Sequence, residues 1–399
     1  MIDARCTGCH VEDSIGGFDL STYESVYAAR LLTEVSLRER TMPPWLAGDD
    51  CADYQHSFQL EPAERELLLS WLDQGAPGGD PANEGAPLEA PSSGLSRVDV
   101  ELEMPDAYEP QLKPDDYRCF PIDWEGEETQ YLTGFNVIPG NPEIVHHVIA
   151  FYAGPDLAEE VEQKEAGEEG HGYTCFGTPG VGESIGFGAD AVGWLGTWAP
   201  GGQGIDFPEG TGIPVEPGSK VILQVHYNTY EGETETDQSS VQFSVEDEVE
   251  HQAMYLPWAN FTWPGDPNSM LIPAGDPEAT HSFGFDIVGA VGQRVKIHSS
   301  MLHMHLLGTS AKLWIDRADT DDECLLDIPR WDFNWQHEYV LEEPRVLEAG
   351  DELWIECQWD NTEANQPVIQ GERQEPRDVG WGDGTTDEMC LGVLYATFE

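Results

Sequence analysis

A small all-α block followed by two antiparallel β-sandwiches of jelly-roll type is the fold class this sequence predicts, and three observations carry it. Helix start and stop signals fill residues 1–78, a run rich in Gly, Pro, Ala, Ser and acids follows, and from residue 98 short β-prone runs are cut by Gly, Pro and Asp clusters. The expected division is therefore a helical block over 1–78, a linker over 79–97, and sandwiches over 98–250 and 251–399. At 399 residues, with 39% hydrophobic and 10% aromatic content, the chain is long and apolar enough for separate packed cores.

In the helical block, Ser21-Thr22-Tyr23-Glu24 reads as a capping box opening a helix toward residue 40, and Pro43-Pro44 stops it. Pro62 starts a second helix. Its residues Leu67, Leu68, Trp71 and Leu72 make an apolar stripe ending at Gly75, a face able to pack on a flat cofactor. In the sandwiches, Tyr131 to Ile138, Val221 to Tyr227 and Glu352 to Cys357 are strand runs, and nothing sustains a long helix. The acidic stretch Glu159 to Glu169 reads as a solvated surface loop, and Val245 to Glu250 closes the first sandwich.

Charge excludes some functions. Against 76 acids stand 18 Lys plus Arg, a formal charge of −58, too negative for a nucleic-acid or anionic-membrane binder. Such a surface suits a salty medium or colloidal solubility. No apolar run approaches the ~18 residues of a membrane span. Eight cysteines point to an oxidising, periplasmic or secreted setting. No export signal is legible before Cys6, so the numbering is expected to begin after a removed or omitted leader.

Two groups of residues carry chemistry. Cys6-Thr7-Gly8-Cys9-His10 offers two thiols for thioether bonds to a haem and an adjacent imidazole for its iron. Met42, the only methionine between residues 2 and 103, is the expected sixth ligand, and a His/Met pair raises the haem potential. A redox dithiol or half a zinc site is the bland alternative. The histidine directly after the pair, and the lack of a second CxxC or of a βαβ context, favour haem c.

The second group is His146-His147, a lone His226, and His303-Met304-His305 answered by Met389. On a strand His303 and His305 share one face, and a thioether completes a soft set that suits Cu(I) better than Zn(II). Adjacent histidines face opposite ways on a regular strand, so His146 and His147 can share an ion only at a bulge or strand end. Any one of these residues alone is more often core or surface than ligand. Together they predict two copper ions. His56, His171, His251, His281, His298 and His337 lack such company and read as structural or surface residues.

Taken with Tyr117-Arg118-Cys119, Asn141 to Ile149, Leu223 to Tyr227, Leu302 to Gly308 and Asp387 to Cys390, these motifs resemble, in order, the copper type II ascorbate-dependent monooxygenases, the group of peptidylglycine and dopamine hydroxylases. Residues 1–78 separately resemble class I cytochromes c. The resemblance implies that His146, His147 and His226 hold an electron-transfer copper and that His303, His305 and Met389 hold the copper that activates O2. It also implies Cys119–Cys175 and Cys357–Cys390 bridges; Cys51 and Cys324 are left over, to pair with each other or stay free. Two departures stand out: Met301 replaces an arginine that binds a substrate carboxylate in the peptide hydroxylase, and Val393 replaces a tyrosine that assists it. An apolar side chain cannot pair a carboxylate, so a more apolar small-molecule substrate is expected. The function this implies is hydroxylation of a C–H bond with O2, electrons arriving from a periplasmic or extracellular donor through the fused haem. The rival is a non-catalytic haem and copper carrier.

Overall fold

The computed structural model describes the chain except residues 12–15, 56, 58, 81–93, 114, 183, 186–190, 200, 201, 203, 230–234 and 370, with backbone alone at 184, 185, 191 and 267. Most of the expected linker, and His56, lie outside the described residues. Two compact units emerge: Met1–Leu46 with His56–Gly94, and Ala47–Gln55 with Leu95–Glu399.

The first unit carries helices α1 (Ile2–Arg5), α2 (Tyr23–Glu39) and α3 (Pro62–Asp73). The cap of α2 lies one residue later than the sequence suggests: Thr22 is the N-cap and Ser25, not Glu24, closes the box, because a hydroxyl at the third helical position reaches back to the Thr22 N–H. The helix ends at Arg40 in the left-handed conformation, ahead of the two prolines. From α3, Leu68 and Leu72 join Leu37, Leu60 and Ala76 in a small core, with Trp71 packed against it. Leu67 departs from the expected stripe and is 61% exposed. A cytochrome c fold is not evident in these elements.

The second unit is built of strands. Its first half contains β1 (Val100–Glu103), β2 (Asp115–Asp123), β3 (Gln130–Ile138), β4 (Val145–Ala153), β5 (Tyr173–Thr174), β6 (Ser184–Ile185), β7 (Ala191–Trp198), β8 (Ile205–Asp206), β9 (Thr211–Val215), β10 (Lys220–Asn228) and β11 (Ser240–Glu246). The second half follows with β12 (His251–Trp258), β13 (Ala279–Phe285), β14 (Val295–His303), β15 (Gly308–Asp316), β16 (Glu323–Ile328), β17 (Tyr339–Leu347), β18 (Glu352–Trp359), the short β19 (Val368–Ile369) and β20 (Glu372–Arg373), and β21 (Leu391–Phe398). The acidic stretch is a correction: Ala158–Glu165 forms a helix, α4, whose Val161 is buried while its early acids and late Lys164 suit the helix dipole. Ile287–Val291 forms a last short helix, α5.

One long sheet runs through both halves in the order β1-β11-β3-β9-β12-β21-β14-β17, with β8 against β3. Its two halves meet where β9 and β12 pair in parallel, Thr211 opposite His251. A six-stranded sheet, β5-β2-β10-β4-β7-β6, accompanies the first half, and a four-stranded sheet, β13-β18-β15-β16, the second. Strand β10 is buried on both faces along most of its length, as a central strand inside a core must be. The core of the first half joins Phe135 and Phe243 of the long sheet to Phe151 and Leu223 of the six-stranded one.

Three disulfides are present: Cys119–Cys175, Cys357–Cys390 and Cys51–Cys324. The last settles the fate of the two left-over cysteines. It fastens Ala47–Gln55, residues inside the expected haem block, onto β16, while Gly48 bonds Asp327 and Tyr54 bridges Leu341 of β17. The segment thus lies along β16, at the end of the four-stranded sheet, and β17, at the end of the long one.

Candidate metal centres

Strand β4 begins at Val145 and pairs with β10, where His226 stands opposite His147 and Tyr227 opposite Val145. His146 is the extra residue of that irregularity, so two adjacent histidines escape the alternation of a regular strand. The Nδ1 atoms of His146 and His147 lie 3.3 Å apart, and those of His226 and His147 3.2 Å. His226 Nε2–H donates to Asp115 at 2.9 Å, which leaves Nδ1 with its lone pair. Tyr117 stacks on the His226 ring at 4.0 Å, and Phe333, from the other half of the unit, stacks on His146 at 4.7 Å.

The second group sits where β14 ends and β21 is about to start. The strand stops at His303, so His305 lies just past it, yet the two Nε2 atoms are 3.2 Å apart while Met304 turns fully inward. His303 Nδ1 donates to Gln336 Oε1 at 2.5 Å and His305 Nδ1 to the Asp387 carbonyl at 3.1 Å. Burial pushes all five imidazoles below their ordinary range, His146 to about 4 and His305 to about 3, so they are neutral at pH 7. With Nδ1 of both His303 and His305 donating outward, their Nε2 lone pairs face one another, and Nδ1 of His226 likewise faces His147 bare. A cation between such nitrogens turns that arrangement favourable, and a nitrogen-rich, partly thioether donor set suits copper.

The two groups are neighbours: the rings of His147 and His303 are 6.3 Å apart. His147, His303, His305 and Met389 open onto a cavity of about 740 Å³. Two stretches of the second half touch both groups. Gln336 holds His303 while Phe333 covers His146; Thr385 donates to Asp115 at 2.8 Å while Asp387 accepts from His305.

Residues 100–234 match the family model of the copper type II ascorbate-dependent monooxygenase N-terminal domain, and residues 286–397 that of its C-terminal domain, together more than half of the chain. The chain belongs to this monooxygenase family. DBH-like monooxygenase protein 1 of Gallus gallus is 24% identical over 63% of this chain and 39% of its own length, and the Homo sapiens protein of that name is 25% identical over 64% and 39%. DBH-like monooxygenase protein 2 of Mus musculus is 26% identical over 50% of this chain and 31% of its own length. The chain therefore spans about two fifths or less of the curated relatives it matches.

Sequence reasoning missed the residues that orient the monooxygenase histidines. Asp115 and Gln336 lie in no motif, and nothing in the sequence assigns a role to Glu388, though it stands in the Asp387-to-Cys390 run. Glu388 is fully buried beside Met389 and accepts from the His305 and Leu307 N–H groups and the Trp359 indole, at 2.9, 2.7 and 2.9 Å, so it ties the His303-to-Leu307 turn to the methionine segment. The two departures, Met301 and Val393, prove to be cross-strand partners on β14 and β21, and Met301 lines the cavity.

In the first unit Cys6, Cys9 and His10 occupy one turn, the His10 N–H donating to the Cys6 carbonyl. Both thiols are free and partly buried. His10 Nδ1 meets the Phe18 carbonyl at 3.2 Å, leaving Nε2 for a ligand. Met42 is 38% exposed. Along α2, Tyr27, Leu31 and Val35 form an exposed apolar face at helical spacing.

Proposed function

We propose that this chain is a two-copper monooxygenase that hydroxylates a C–H bond of an apolar small molecule with O2, and that its electrons come through a haem c carried by the first unit. Bound copper would supply one-electron relay at His146, His147 and His226 and oxygen activation at His303, His305 and Met389; haem would be held by Cys6, Cys9, His10 and Met42 and would supply electron entry. The observation that carries the reading is the pair of buried histidine clusters, one packed under Tyr117 and Phe333, the other facing an apolar cavity.

The protein's own residues have defined tasks. Asp115 fixes the His226 tautomer and ring; Gln336 and the Asp387 carbonyl do the same for His303 and His305. Glu388 holds the methionine segment in register with them. Tryptophans around the cavity keep water from the reacting carbon. For haem, the exposed face of α2 is apolar surface that a porphyrin would cover. Three disulfides and a covalent haem fit a periplasmic or secreted protein.

The test is to load the full chain with copper and haem and supply isotopically labelled O2 with a cytochrome reductant and extracted metabolites. The reading requires a product carrying one labelled oxygen and oxygen uptake coupled to haem oxidation. A carrier without turnover would bind both metals and consume no oxygen. Met42→Ala should abolish the sulfur-to-iron absorption band; an unchanged band and potential would assign the sixth ligand elsewhere.

A further inference from the structure

The cavity beside the second histidine pair has a defined floor, wall and mouth. His303, His305 and Met389 lie at the floor. The wall is aromatic and buried, with Trp194, Trp198 and Trp258 each under a tenth exposed. Four further lining residues are large apolar side chains that meet solvent: Phe176 at 50%, Phe261 at 67%, Phe285 at 36% and Val291 at 40% exposure. A lining residue that is also exposed marks the opening. Phe261 and Phe285 are in edge contact there at 5.7 Å, and Phe261 meets Phe283 at 5.4 Å. Exposed apolar side chains clustered at a cavity entrance mark a binding surface, since a soluble protein otherwise covers them.

The charge of the lining decides the class of occupant. Among the described residues it contains no Lys and no Arg, and its single carboxylate is Asp383. Burial and the neighbouring Asp387 make that carboxyl a weaker acid, and its backbone oxygen is already taken by the Tyr117 hydroxyl at 2.9 Å. At the position where the family resemblance places an arginine, Met301 accepts a weak bond from Thr197 at 3.6 Å. Nothing in the wall can neutralise an anion, and the chain's formal charge of −58 repels one from outside. A cavity of about 740 Å³ also exceeds what a metabolite of a few carbons can fill, and falls in the range that encloses a molecule of several rings or a long chain.

We infer that the substrate is an uncharged, bulky hydrophobic molecule that enters past Phe261 and Phe285, with these two phenylalanines as specificity-determining residues at the mouth. The inference rests on the monooxygenase reading of the floor, and binding tests it separately from turnover. The fully loaded full chain, kept reduced and free of oxygen so that nothing turns over, is titrated calorimetrically with three probes of one skeleton: naphthylethanol, naphthylacetate and naphthylethylammonium. Naphthylethanol should bind tightest, with naphthylacetate weaker by about tenfold or more, because its carboxylate loses hydration without a partner. Its binding should carry the negative heat-capacity change of apolar burial. Phe261→Ala should weaken naphthylethanol several-fold and Phe261→Leu should restore most of it; at 67% exposure neither change threatens the fold. Equal or tighter binding of naphthylacetate overturns the inference. Tighter binding of naphthylethylammonium also overturns it and makes Asp383 a cation anchor, and so does an unaltered affinity in Phe261→Ala. Labelled-oxygen incorporation is scored in parallel. If naphthylethanol binds as expected but no preparation incorporates oxygen, the monooxygenase reading fails and the cavity assignment stands.

Discussion

The two histidine groups use the same side chain in different settings. His146, His147 and His226 are assembled by a strand irregularity, supported by a half-buried carboxylate at His226, and roofed by Tyr117 and Phe333; only His147 of the three borders the cavity. His303 and His305 stand at a strand end, are oriented by a neutral amide and a backbone carbonyl, and open with Met389 onto that cavity. A roofed site with a fixed anionic support changes charge with little rearrangement. A site with a thioether and an open side can accept a small molecule. The two settings differ in the way the proposed division into relay and chemistry needs, even though His147 and His303 are ring neighbours.

The comparison is broken most severely by removing a ligand from the open site. His305→Ala is expected to abolish labelled product while the roofed site keeps its ion, so metal analysis should show about one copper per chain; product formation surviving the change would remove His305 from the reaction. His226→Ala should likewise leave about one copper per chain, here with the Met389 site loaded, as a sulfur scatterer in the copper X-ray absorption spectrum will show. Loss of both ions, or of neither, contradicts separate sites. Asp115→Asn sharpens the contrast, since His226 is the histidine that Asp115 orients, and should weaken that copper by about 10–100-fold with the other unchanged in competition with a chelator.

The smallest effect concerns a histidine outside both groups. Burial, with help from Lys296 and His251, lowers His298 from its ordinary 6.5 to about 4, its Nε2 meeting Thr397 at 3.0 Å and its Nδ1 unpartnered. The folded state then binds fewer protons than the unfolded one, so this contribution is intact above pH 6.5 and is lost as pH falls toward 4. His298→Leu should flatten the acid limb of stability by up to about 1.4 kcal/mol per pH unit in denaturant titrations. A parallel limb would show that other groups set it.

Much of the site was readable without the structure. An adjacent histidine pair, a lone histidine, a His-x-His and a methionine are rare residues in a distinctive order, and the conflict posed by His146-His147 correctly demanded a bulge or strand end. The orienting groups were not readable: Asp115 is one of 76 acids, and its pairing spans 111 residues, as Glu388 spans 83 to His305. Only sheet pairing brings them to their partners. The helix at Ala158–Glu165 was hidden by its charge, since one buried valine suffices to seat it. In the first unit the starts of the two longer helices were legible to within a residue, whereas the short Ile2–Arg5 helix was not foreseen, and Leu67 points outward because adjacent helical residues lie about 100° apart and Leu68 takes the core side.

The Cys51–Cys324 bond spans 273 residues and lies within the second unit, although the chain on both sides of Cys51 belongs to the first. The first unit is therefore held by the backbone at 46/47 and 55/56 as well as at 94/95. A protease cut anywhere in 81–93 should yield two fragments that co-migrate on a non-reducing gel and separate only with thiol. Under the proposed haem reading, separating electron entry from chemistry would need a cut and the loss of this bond together, because a nick alone would leave a two-chain protein in which the local concentration of the proposed donor is preserved.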